Sequence, residues 1–165
     1  MRGKRRKERM ILKNATLHIG NGEVFQGDMR IADGKIVEVG KNINGDESRS
    51  LNGKHVFPGF IDSGNFLGAQ DMAFFAKDYN ENSNPVTPYL DIWHSIDPDE
   101  LSLQELYKAG ITSMLVTPGN EGILGGTCTV VKTKGKNINK ITVKRDAAMK
   151  ASMTSEVIRV FSGKG

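Results

Sequence analysis

His55-Val56-Phe57-Pro58-Gly59-Phe60-Ile61-Asp62-Ser63-Gly64-Asn65-Phe66-Leu67-Gly68 is the stretch on which this chain divides. His55-Val56-Phe57 reads as a short strand that stops where Pro58 removes a donor from the ladder. Asp62 is the stretch's lone carboxylate, and one carboxylate without a metal or base partner carries no catalysis by itself.

Upstream, the pattern is β-like. Ile11–Ile19 alternates partially and ends at the turn Gly20-Asn21-Gly22. Asp33-Gly34 sits between two β runs, where the favoured tight turn needs positive φ at both central residues. On the second arm Val37 and Val39 share one face. Residues 41–54 are polar loop with a short strand near Ser50-Leu51. Residues 11–57 thus form a small β module, preceded by a disordered basic tail at 1–10. That tail holds six basic residues against Glu8, a local net charge of +5 within a chain total of +4. No aromatic residue interleaves with those charges, so the tail reads as a solvated terminus rather than a nucleic-acid arm.

Downstream, residues 67–95 lack periodicity, and Pro85 and Pro88 keep a polar loop extended. A helix fits Pro98 to Ala109, with Ser102 and Glu105 at capping-box spacing and Gly110 placed to end it. Ile111–Val116 follows as an apolar strand of the buried parallel type. Thr127–Thr133 is β-branched and strand-like, and Ile141-Thr142-Val143 is a shorter candidate. Met149, Met153 and Val157 repeat every four residues, which predicts a helical last segment with a restart at Ser155.

The chain's 165 residues, 38% hydrophobic and 25% charged, describe an ordinary globular composition. No run approaches the ~18–20 apolar residues of a membrane span. With no apolar segment behind the basic start and a single cysteine, Cys128, a cytoplasmic setting is expected.

Three ordered sets of motifs resemble the amidohydrolase superfamily. The first is Leu12–Ala15 with Gly27-Asp28 and Ile31–Gly40, similar to that family's opening strands. The second is Gly53–Asp62, similar to its entry into the first barrel strand, Pro-Gly-Phe-Ile-Asp-x-His-x-His. The third runs through Pro85–Pro88, Ala109–Thr112, Thr117–Asn120, Gly125-Gly126 and Val130–Gly135, and is similar to an imidazolonepropionase-related branch. The resemblance implies an α/β fold with a β-rich module: β-sandwich strands over 11–57, then an incomplete (β/α) barrel segment over 58–165. A complete barrel takes about 250 residues, and 107 follow Pro58. Against the family's pattern, the two metal-ligand positions are Gly64 and Phe66, and neither a hydrogen atom nor a phenyl ring coordinates a cation.

The expected protein is therefore truncated, amidohydrolase-like and catalytically degenerate, with no catalytic residue, metal ligand or cofactor of its own. Asp62, Asn65 and His94 are the candidates for a remnant pocket, with Asp71 a further loop residue. His18, His55 and His94 show no spacing that places two imidazoles on one centre. Cys128 reads as an inert buried thiol, and Gly119 and Gly125-Gly126 as turns rather than phosphate cradles. Open barrel edges imply a homo-oligomer or a partner chain covering them, with no membrane or nucleic-acid partner. Two alternatives stand beside this reading. One is part of a split or oligomeric metal-dependent hydrolase acting on non-peptide C–N bonds of cyclic amides, with zinc or another divalent metal held only once a partner completes the site. The other is a binding module with a nucleic-acid-docking tail.

Overall fold

The computed structural model describes residues 9–45, 47–70 and 77–163; the basic run before Arg9 and Asp71 lie outside the described residues. The chain divides into two compact units, Met1–Pro58 and Gly59–Gly165.

The first unit is one sheet of five strands: β1 (Arg9–His18), β2 (Val24–Ala32), β3 (Lys35–Gly40), β4 (Ser48–Ser50) and β5 (His55–Val56). β1 is central, antiparallel to β2 and parallel to both β4 and β5. The β2–β3 hairpin turns at Asp33 (φ 51°) and Gly34 (φ 74°), the two positive values that its sequence predicts. Ala15, Leu17 and Met29 are buried, with Leu12, Phe25 and Val56 packed against them. A bulge interrupts β1 between Leu12 and Ala15, where Asn14 takes φ 54°. The buried carboxylate of Asp28 anchors it, accepting from the Asn14 N–H at 2.9 Å and from the Ile43 N–H at 3.0 Å. A sandwich needs two facing sheets. The described residues of this unit supply one, and Ile36, Val37 and Val39 on β3 remain exposed.

The second unit, where a barrel segment is expected, is built on one four-stranded sheet among the described residues. Its sheet runs β6 (Phe60–Asn65), β7 (Ile111–Val116), β8 (Leu124–Lys132), β9 (Thr142–Ala151). Only β6 and β7 are parallel, with α1 (Leu101–Lys108) between them in sequence; β8 and β9 are antiparallel. A (β/α) barrel adds each strand parallel to the last. Here one β–α–β step is followed by two antiparallel returns, and the chain is mostly β with few helices. The Gly-rich turn after β7 sends the β-branched run of β8 straight back, pairing Met114 with Val131.

α1 starts later than its caps predict. The Asp97 side chain accepts from the Asp99 N–H at 2.9 Å in a turn of its own, leaving Glu100 at the N-cap. The expected helix around Met149 is also corrected: Met149 lies in β9, paired with Thr127. The four-residue repeat was not a buried face, since Met149 and Met153 are both exposed. Helix returns only at α3 (Ser155–Phe161), after a short α2 (Ile138–Ile141) before β9. The core gathers Ala69, Ile92, Ile96, Leu103, Met114, Val116, Val131 and Ile141. Fully burying one large apolar side chain contributes about 1.5–3 kcal/mol, so this cluster, with Met114 and Val116, anchors β7.

Candidate functional site

In parallel α/β layers ligands gather at the C-terminal ends of the strands, which directs attention to where β6 and β7 finish. At the end of β6, Asp62 and Asn65 are wired to each other and to the turn. Asp62 Oδ1 accepts from the Gly64 N–H at 2.9 Å, and Asp62 Oδ2 from Asn65 Nδ2 at 2.5 Å. Asn65 Oδ1 then accepts from the Leu67 N–H at 2.8 Å, and its carbonyl from the Thr117 N–H at 2.8 Å. Both Asp62 oxygens are thus engaged in shaping the strand end. Gly64 is not demanded by crowding: a Cβ there would meet Thr117 Cγ2 at 3.4 Å, ordinary contact. Phe66 is half-buried and lies flat on Tyr79, ring centroids 4.2 Å apart and planes 20° apart.

Tyr79 belongs to a loop clamped against the turn after β7. Its carbonyl accepts from the Gly119 N–H at 2.8 Å, and Gly119 leaves no room for a side chain, since a Cβ would stand 1.7 Å from Asn80 Oδ1. A cleft of about 400 Å³ opens beside this clamp, lined by Asp78, Tyr79, Glu81, Tyr89, Asp91 and His94 among others. His94 therefore reaches the cleft, whereas Asp62 and Asn65 are not among its lining residues. Asn80 Oδ1 is buried at its wall with no hydrogen-bond partner among the described residues. Another hollow, of about 560 Å³, belongs to the β module, where Arg30 is already held by Glu38 at 3.2 Å and the Asn44 carbonyl at 2.8 Å.

One wall of the cleft is braced by a network between distant segments. Asp91 Oδ1 accepts from the Trp93 N–H at 2.9 Å, and Asp91 Oδ2 pairs with the Arg145 guanidinium. Arg145 also stacks 4.3 Å over the Trp93 ring, whose Nε1–H donates to Thr142 Oγ1 at 3.0 Å. His94 meets Trp93 edge-on at 5.1 Å. Burial raises the Asp91 carboxyl's pKa, but the Arg145 and Trp93 hydrogen bonds, with the charges of Arg145 and His94, outweigh it and hold the group below its ordinary value. Asp91 and Arg145 were absent from the residues singled out by sequence; no local signal links two positions 54 apart.

His18 and His55 correct the expectation drawn from spacing. The parallel β1–β5 register sets Thr16 opposite His55, Phe57 stacks on His18 with centroids 4.0 Å apart, and His18 Nε2 lies 2.9 Å from His55 Nδ1. Cys128 is buried as expected; burial raises its thiol pKa, against the opposing charge of Lys150. Gly126 packs against the Leu90 carbonyl, where a Cβ would come within 2.4 Å. Among the described residues no three His, Cys, Asp or Glu side chains gather as a group that could hold a metal ion. No helix among the described residues is long and apolar enough to cross a membrane.

No protein-family model and no curated protein matches the chain. Among solved structures it is similar to the crystal structure of an amidohydrolase from Thermotoga maritima MSB8, with TM-score 0.87 and 29% sequence identity. The match covers 94% of this chain and 42% of that one, so the chain spans less than half the length of the amidohydrolase it resembles. With the two sheets, the strand-end turn and this match together, the chain has an amidohydrolase-like fold.

Proposed function

We propose that this amidohydrolase-like chain, of the imidazolonepropionase-related branch, does not itself hydrolyse cyclic amides and serves as a folded module that associates with another copy or a partner chain. The observation that carries the reading is the end of β6. Position 64 offers a hydrogen atom and position 66 a phenyl ring stacked on Tyr79, where metal-dependent hydrolysis needs convergent nitrogen and oxygen donors. A cytoplasmic setting accords with the single buried thiol of Cys128. The test is turnover of hydantoin- and imidazolone-type rings by the purified chain, supplemented in turn with zinc and manganese. No turnover is expected; hydrolysis by the chain alone would overturn the reading.

A second reading, one part of a split hydrolase, draws on the exposed edge of the second sheet. Among the described residues β6 pairs only with β7, and Phe60 and Ile61 are 65% and 75% exposed. Such an edge is a template for another strand. Light scattering after gel filtration tests association, and turnover that appears only with a co-purified partner would favour this reading over the first.

A further inference from the structure

Three asparagine–glycine pairs stand in the β module: Asn21-Gly22, Asn44-Gly45 and Asn52-Gly53. Asparagine is chemically labile, and a following glycine has no Cβ to shield its own nitrogen from the asparagine side chain. We propose that Asn44 is a site of spontaneous deamidation, the pair that the native fold leaves open, and that its isoaspartate product unlocks the loop between β3 and β4.

The fold treats the three pairs differently. The Gly53 N–H donates to the Asn14 carbonyl at 2.7 Å, and Asn52 Oδ1 accepts from Ser50 Oγ at 2.8 Å, so nucleophile and side chain are both held. Asn21 Oδ1 accepts from the Glu23 N–H at 2.9 Å, which keeps that amide turned to residue 23 rather than to the Gly22 nitrogen. Asn44 and Gly45 are exposed, and among the described residues neither the Asn44 side chain nor the Gly45 N–H is hydrogen-bonded. What anchors this loop is main chain. The Asn44 carbonyl accepts from Arg30 Nη2 at 2.8 Å, and the N–H of buried Ile43 donates to Asp28 Oδ2 at 3.0 Å.

The chemistry needs only water and base. Base removes the Gly45 N–H proton, and the nitrogen attacks Asn44 Cγ. A five-membered succinimide closes as the Cγ–Nδ2 bond breaks, and the nitrogen leaves as ammonia after taking a proton from water. Water then opens the ring at Cγ, giving aspartate, or at the main-chain carbonyl, giving isoaspartate. One water is consumed, one ammonia is released and no electron is transferred. Isoaspartate routes the main chain through Cβ and Cγ, and the carbonyl that Arg30 holds becomes a side carboxylate. The Arg30 contact then no longer tethers the loop's main chain.

The experiment is incubation of the folded full chain at mildly alkaline and mildly acidic pH. Peptide mapping by mass spectrometry follows, with isoaspartate counted by a carboxyl methyltransferase specific for it. Asn44 should react roughly 10-fold faster than Asn52, the factor set by freeing one hydrogen-bonded N–H, and faster at the alkaline pH. In the urea-unfolded chain the three pairs should react alike. N44Q, which would have to close a six-membered ring, should remove the signal. Amide exchange at Ile43 should quicken in the isoaspartate form and not in N44D, which adds the charge without the extra backbone atom. Asn21 or Asn52 matching Asn44 in the folded chain would overturn the site, and unchanged Ile43 exchange in the isoaspartate form would overturn the unlocking. Asn44 lies in the β module, so either result leaves the reading of Gly64 and Phe66 standing.

Discussion

Returning imidazoles to positions 64 and 66 separates a lost ligand set from a lost scaffold. The structure says that G64H costs little, because a Cβ at Gly64 meets only Thr117 Cγ2 at 3.4 Å and the glycine does not use a positive φ. F66H gives up the offset stack on Tyr79, worth about 0.5–1.5 kcal/mol beyond area, and an imidazole recovers part of that face. The double variant G64H/F66H should therefore fold at a cost of about 1 kcal/mol, a fall of roughly 2–4 °C in Tm for a chain of this size. It should bind zinc roughly 100-fold more tightly than the wild-type chain, the gain from two tethered donors. Differential scanning fluorimetry and competition with a chromogenic chelator read the two quantities. A folded double variant with no gain would refute the reasoning that side chains alone removed the metal. Collapse of G64H by itself would refute the steric argument.

Three further outcomes follow from particular contacts. Asp91 has a folded pKa below its ordinary value, so its contribution to stability is present above about pH 4 and is lost as pH falls through the folded value. Tm measured from pH 6 down to 2.5 should accordingly fall less steeply in D91N than in wild type. G119A forces a Cβ into Asn80 Oδ1 and should destabilise by about 1–3 kcal/mol, the ordinary cost of overpacking, as read by urea unfolding; an unchanged midpoint would show that the 78–81 loop is not clamped. D28A strips the acceptors from two backbone N–H groups, Asn14 and Ile43, each left unmet at about 1–3 kcal/mol. Amide exchange should quicken at both positions before it does elsewhere in β1.

Local chemistry made some elements legible. Asp33-Gly34 specifies its own turn, Gly110 ends α1, and Ile111–Val116 is apolar and β-branched enough to be a strand in any buried setting. β9 was illegible because its residues argue weakly for any state. It carries Lys144, Arg145, Asp146 and Lys150, and what makes it a strand is the ladder offered by β8. The cleft's bracing was hidden for the same reason: Trp93 to Thr142 spans 49 positions and Asp91 to Arg145 spans 54. His18 and His55, 37 apart, became neighbours through strand register rather than spacing.

The end of β6 is shaped by hydrogen bonds that do not depend on the side chains at 64 and 66. Asp62 engages both oxygens within its own turn, with the Gly64 N–H and Asn65 Nδ2, and Asn65 in turn fixes the Leu67 and Thr117 N–H groups. None of these bonds involves the side chain of residue 64 or 66. The strand end is therefore held by groups that are indifferent to what those two positions carry. Phe66 adds its own packing against Tyr79, which joins the core beneath the cleft. A change of side chain at 64 or 66 therefore leaves the hydrogen bonds of this turn in place. That independence is why the scaffold residues Pro58 to Asp62 identify the fold while saying nothing about whether a metal is bound there.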